Sequence, residues 1–217
     1  MEEDRFVRID GSFQWVRWEV VPWRKADGAI GGIIIFTQDV TARKKMQDEL
    51  LDVAEQQREF FRRTMRLATS GKLEISEISD LKAFCGETVG EWAVSTAFEF
   101  SEAIHQAFEL AKSAGLTGQR LHDFKACAGE ALSNALKHAG GGEAACYKIG
   151  DTIVYVVSDN GPGILSINVP DMAFVHGYST AGTGGLGYKL LIACADKVYL
   201  ATGPQGTMVA VMIRLTA

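Results

Sequence analysis

The apolar positions of the first forty residues fall in short runs separated by polar turns. Phe6 to Ile9, Trp15 to Val21 and Gly32 to Thr37 are runs of β-branched and aromatic residues, with Asp10-Gly11 and Asp27-Gly28 between them. Such runs broken by Asp-Gly predict three antiparallel strands joined by hairpins. So small a sheet is marginal by itself. Trp15, Trp18 and Trp23 on one meander need a covering surface, either a helix or a second copy of the chain. From Thr41 the period changes. Met46, Leu50, Val53, Gln57, Phe60, Thr64 and Leu67 recur at spacings of four and three between charged flanks, the seam of a coiled coil or helical hairpin. An amphipathic helix lying on its own domain satisfies the same spacing, and Gly71 ends it.

Lys72 to Ile78 reads as a short strand, and the stretch from there to Glu91 carries no clear pattern. Ile104, Ala107, Phe108 and Ala111 then mark one helix face, closed by Ala114-Gly115. A second helix is predicted from about Gly118 to Ala139, ahead of three glycines. Two strands between Tyr147 and Val157 flank Gly150-Asp151. A glycine-rich segment opens a helix from Tyr188 to Cys194, and strands at Lys197 to Thr202 and Thr207 to Leu215 follow. The order predicts an α+β sandwich, with helices on one face of a mixed sheet, preceded by a three-stranded sheet (1–40) and a linking helix (41–70).

Composition removes several classes of function. Of 217 residues, 22 are Lys or Arg and 27 are Asp or Glu, and the net charge of -5 argues against nucleic acid as the partner. The longest apolar run, Ile30 to Phe36, contains two glycines and is far short of the ~20 residues of a membrane helix. Cys85, Cys127, Cys146 and Cys194 lack metal-binding spacing, which suits reduced thiols in a cytoplasmic protein.

Three segments carry chemistry. On the second helix Glu130, Asn134 and Lys137 stand at i, i+4 and i+7, away from the apolar face of Leu121, Phe124, Ala128, Leu132 and Ala135. Alone, such a row reads as a solvated face. Asp159-Asn-Gly161-Pro-Gly163 follows an apolar strand, placing a carboxylate beside backbone that a flat ligand can approach, although the same residues make an ordinary turn. Gly182, Gly184 and Gly187 satisfy the dinucleotide pattern G-x-G-x-x-G, but no strand directly precedes them and the next acid, Asp196, comes too early for a ribose contact. Tyr188 stands where a Walker A lysine belongs. What remains is glycine-rich backbone opening a helix, suited to phosphate.

Together these segments resemble the GHKL ATP-binding superfamily of gyrase, the heat-shock chaperone, histidine kinases and the mismatch-repair ATPase. Glu130-Ala-Leu-Ser-Asn134-Ala-Leu-Lys-His138 is similar to its N box, Asp159 to Gly163 to its first glycine box, Gly184-Gly-Leu-Gly187 to its second, and Gly206-Thr207 to its closing strand motif. The resemblance implies ATP and Mg2+ as ligands. Asn134 is then the Mg2+ ligand, Asp159 accepts from the adenine amino group, and Thr207 supports the same base edge. Gly161 and Gly163 admit the nucleotide; Gly182, Gly184, Leu186 and Gly187 offer backbone to phosphate; Glu130 is the general base. Lys137 either adds charge near the phosphates or is solvated, and His138 is expected to be a packing residue.

Within the superfamily the likeness is greatest to the anti-sigma-factor serine/threonine kinases, through Glu-Ala-x-x-Asn-Ala-x-x-His and a short lid after Ile164, in which Ser179 and Thr180 stand where phosphate contacts are expected. Those kinases are usually free-standing, whereas here about 90 residues precede the domain. Asp10-Gly-Ser12 to Trp15, Gly31-Gly-Ile33 and Asp39-Val-Thr41-Ala-Arg43 are similar to the C-terminal part of a PAS domain and its exit into a signalling helix. The resemblance divides the chain into a partial PAS domain (1–40), a coiled-coil helix (41–70) and an ATP-binding kinase domain (71–217).

Three functions compete. The first is a PAS-coupled serine/threonine kinase acting on a partner protein and binding a sigma factor. The second is a sensor histidine kinase, working with a response regulator. The third is a non-catalytic nucleotide-dependent binding module. No histidine precedes His105, so the helix over 41–70 offers no phosphoacceptor, and Glu130 with Asn134 exceeds what adhesion needs. These features favour the first. A parallel homodimer through residues 1–70 is expected, because the heptad seam and the tryptophan-rich sheet are both better buried against a twin.

Overall fold

The computed structural model describes residues 2–82, 87–164, 168–174 and 187–216. The chain divides into two compact units, Met1–Phe60 and Phe61–Ala217.

The first unit contains three antiparallel strands, β1 (Glu2–Val7), β2 (Phe13–Arg24) and β3 (Ile30–Asp39), and then the helix α1 (Thr41–Ala68), whose last turns belong to the second unit. The first strand ends earlier than the expected Phe6 to Ile9. Arg8 N–H donates to the Ser12 carbonyl at 2.7 Å, so the last pair is Val7 with Phe13 and Ile9 lies in the turn. Helix α1 is tied to the sheet at its start. Trp15 N–H donates to Thr41 Oγ1 at 2.8 Å, and Lys44, Arg43 and Arg17 converge on the Glu3 carboxylate, lowering its pKa to about 2. Little is buried here. Val16 and Val40 are enclosed, while Ile33, Ile34, Ile35 and Phe36, on alternating faces of β3, are all about half exposed (45–59%). A sheet with no apolar interior on either face is not stable alone.

The second unit holds a six-stranded sheet. Its strands are β4 (Leu73–Ile75), β5 (Glu87–Val94), β6 (Gly142–Ile149), β7 (Thr152–Asp159), β8 (Lys197–Gly203) and β9 (Gly206–Arg214), in the spatial order β4-β8-β9-β7-β6-β5. Only β4 with β8 is parallel. One face is covered by α3 (Ala97–Ser113), α4 (Gly118–Ala139) and α6 (Gly187–Cys194), which bury Ala107, Phe124, Leu132 and Leu191 against Ile153, Tyr155, Leu200 and Ile213. Each such leucine or isoleucine contributes roughly 1.5–3 kcal/mol by leaving water. The predicted sandwich is the one observed.

Three details depart from the sequence reading. Strand β5 lies in the stretch that showed no pattern, because a register shift between Thr88 and Gly90 interrupts its alternation. The short helices α2 (Ile78–Lys82) and α5 (Val169–Phe174) were not anticipated; Leu81 of α2 packs with Val154, Ala201, Met208 and Ala210 on the sheet's other face. The end of α1 is built into the second unit rather than merely leading to it: Met65 is buried in its core, and the enclosed Thr69 hydroxyl joins the Met65 carbonyl and Leu73 N–H. These positions lie off the heptad seam, so Met46, Leu50, Val53, Phe60 and Leu67 remain exposed. Cys127 and Cys146 are buried thiols, and burial pushes both up to about 12; Cys194 is half-buried, and Cys85 lies outside the described residues.

Candidate nucleotide site

Helix α4 presents its polar row at the edge of the core. Glu130 and Asn134 are half-buried, and Lys137 is exposed at the C-terminal turn, which closes on Gly140 in the left-handed conformation. His138 is exposed too, contrary to the packing role expected, since the helix closes on Gly140 two residues later. Helix α6 packs along α4 so closely that a Cβ on Gly187 would overlap the Glu130 carboxylate and lie 3.3 Å from Asn134 Nδ2. The N box and the end of the second glycine box are therefore in contact. Tyr188, the next residue, is buried; burial raises its phenol pKa, and the nearby Asp159 and Glu130 charges raise it further.

Strand β7 delivers Asp159 to the same end of the sheet. Its Oδ1 accepts from Gly161 N–H at 2.8 Å and Thr207 N–H at 3.2 Å. Among the described residues Oδ2 accepts nothing, so one carboxylate oxygen is fixed and the other is free for a ligand. The turn after it folds onto the β8–β9 connection: Gly163 has φ +70°, and a side chain there would overlap the Gly203 carbonyl. Ile164 N–H closes that turn on Thr202 Oγ1 at 2.7 Å, and Thr202 Oγ1 lies 3.2 Å from Thr207 Oγ1. Sequence reasoning missed Thr202. The signal was its symmetric placement with Thr207 about the Gly203-Pro-Gln-Gly206 turn, which sets the two threonines opposite each other.

The structure thus brings together Glu130, Asn134 and Gly187 at one end, and Asp159, Gly161, Gly163 and Thr207 at the other. Ser179, Thr180, Gly182, Gly184 and Leu186 lie outside the described residues, and of the lid after Ile164 only residues 168–174, with α5, are described. The donor set fits a nucleotide-borne magnesium. Among the described residues no three His, Cys, Asp or Glu side chains cluster as a metal cage, and Mg2+ held through phosphates asks for only one or two protein ligands, such as the Asn134 amide oxygen.

A model of the histidine kinase-like ATPase domain matches residues 95–213, more than half of the chain. The chain belongs to that family. That family is ATP-using and kinase-like. A PAS fold model matches residues 2–45, the first sheet and the start of α1. No curated protein sequence matches the chain. Solved structures of similar shape include the SiaB–SiaC complex from Pseudomonas aeruginosa, at 10% identity over 62% of this chain and 95% of that one, with TM-score 0.48. The mycobacterial sensor histidine kinase MprB aligns at 17% identity over 58% and 96%, TM-score 0.37, and the Acinetobacter baumannii histidine kinase AdeS at 11% over 84% and 88%, TM-score 0.38. Among the described residues no helix is long and apolar enough to cross a membrane.

Proposed function

We propose that this chain is a signalling protein kinase of the anti-sigma type, transferring the ATP γ-phosphoryl group to a serine or threonine of a partner protein under control of its PAS-like segment. The observation that carries this reading is the close approach of Gly187 to Glu130 and Asn134, the residues read as general base and metal ligand. ATP with Mg2+ supplies the transferable group and offsets its charge. Asn134 offers its amide oxygen to the metal. Asp159 Oδ2 receives the adenine amino N–H, while Gly161 and Thr207 N–H hold Oδ1 in place. Gly182, Gly184, Leu186 and Gly187 are read as phosphate contacts from the sequence resemblance, as are Ser179 and Thr180. The Glu130 carboxylate takes the proton of the acceptor hydroxyl.

Residues 1–40, 41–70 and 71–217 are read as partial PAS domain, coupling helix and kinase domain, paired with a second copy through the exposed seam of α1. A second reading, the catalytic region of a sensor histidine kinase, is favoured by one feature: a PAS-like sheet runs into a long helix ahead of the ATP domain. That helix contains no histidine, so the acceptor would lie on another chain or elsewhere in this one. Incubation with labelled ATP, alone and with candidate partners, separates the two. An acid-stable phosphoserine or phosphothreonine on the partner supports the first; an acid-labile phosphohistidine, including one on the exposed His105 or His122, supports the second.

A further inference from the structure

Thr202 has no role in the reading above, yet it sits in the row that forms the base end of the site. Asp159 pairs with Thr207 between β7 and β9, and Thr207 with Thr202 between β9 and β8. All three lie on the helix-covered face, two residues beyond Val157, Val209 and Leu200 of the core. A hydroxyl has one proton and two lone pairs. One lone pair of Thr202 Oγ1 accepts Ile164 N–H, and Thr202 Oγ1 lies 3.2 Å from Thr207 Oγ1, a contact in which either hydroxyl can donate; the bond already accepted from Ile164 polarises the Thr202 hydroxyl and favours it as the donor. A proton directed there leaves the Thr207 proton pointing away from Thr202.

We infer that Thr202 is a positioning residue that makes Thr207 a hydrogen-bond donor beside the acceptor-only Oδ2 of Asp159, and thereby sets the preference of the site for adenine over guanine. The inference rests on the ATP-site reading. Adenine presents an amino donor next to a ring-nitrogen acceptor. Guanine presents a carbonyl acceptor next to an N–H donor at the same two places. A carboxylate oxygen beside a hydroxyl donor complements the first and opposes the second at both positions. Without Thr202 the Thr207 hydroxyl rotates freely and can accept from guanine, so one of the two oppositions disappears.

The test is calorimetry on the full chain with Mg2+, using ATP and GTP against the wild type, Thr202→Val and Thr202→Ser. Thr202→Val should lower the ATP-to-GTP affinity ratio about tenfold, and Thr202→Ser should hold it within about twofold. A merely structural role would weaken both nucleotides alike; an unchanged ratio in the valine variant overturns the inference. A second measurement needs no variant. 1-Deaza-ATP, which lacks the ring-nitrogen acceptor, should bind the wild type about tenfold more weakly than ATP, and equal binding overturns the inference. A wild type that binds neither ATP nor 1-deaza-ATP removes the ATP-site reading itself, and the inference with it.

Discussion

Gly187, the first residue of α6, lies directly against the Glu130 carboxylate in the middle of α4, with no room for a methyl group between them. Two segments 57 positions apart in the chain therefore meet where the phosphates are read to sit, and the contact depends on the one side chain that is absent.

Gly187→Ala should separate the site from the fold. Alanine is favoured over glycine in a helix by roughly 1 kcal/mol, so thermal stability should hold or rise slightly. The added methyl displaces Glu130 and crowds Asn134, so ATP affinity should drop at least about tenfold. An unchanged Kd by calorimetry would remove this contact from the site.

Asp159→Asn replaces an acceptor-only carboxylate with an amide that can turn a donor toward the adenine amino group. Loss of a hydrogen bond to a charged group is worth roughly 1.5–3 kcal/mol, so ATP should bind about ten- to a hundredfold more weakly. Circular dichroism with an intact fold and full affinity would contradict the assignment.

Glu130→Gln and Asn134→Ala should differ in kind. The glutamine keeps the shape at Gly187, so ATP should bind nearly as before while transfer to a partner hydroxyl falls about 10²–10⁴-fold. The alanine should weaken both binding and transfer. Equal transfer rates for wild type and Glu130→Gln would rule out its role as base.

The exposed α1 seam predicts a homodimer at tens of micromolar by light scattering, and a monomer when Leu50 and Val53 are both changed to glutamate. Truncation should stop at Phe60 rather than at Ser70, because Met65 and Thr69 belong to the core of the second unit. A monomeric full chain would refute the seam.

Asp196 predicts an acid-dependent stability. Burial raises its pKa, but Arg214 N–H at 2.8 Å and the Arg120 and Arg214 guanidinium groups outweigh that and hold it below the ordinary 3.8. A lowered folded-state pKa contributes stability above the unfolded value and loses it as pH falls through the folded one. Asp196→Asn should therefore unfold more easily than wild type by roughly 1–3 kcal/mol near neutral pH. The two denaturation curves should begin to converge only as pH falls below the ordinary 3.8, and meet once it is below the lowered folded-state value. A gap that persists in acid would mean that the charge of Asp196 does not act.

Helix α4 was legible almost to the residue, because a 22-residue amphipathic segment ending in glycines repeats its signal over many turns. The hairpins of β2–β3 and β6–β7 were legible for a related reason: a turn dipeptide fixes which residues face each other. Strand β5 was not, since one bulge in eight residues destroys the alternation.

The sequence by itself determined that Glu130, Asn134, Asp159 and Thr207 occur on a helix, a strand end and a closing strand, since periodicity and turn chemistry are local. Only the tertiary structure decided three further things: that Gly187 touches Glu130, that Thr202 joins Ile164 to Thr207, and that the last turns of α1 are core while its seam is surface. Each depends on at least one contact between residues far apart in the chain. Such contacts are set by how helices and strands pack across the sheet, and local periodicity carries no record of that packing.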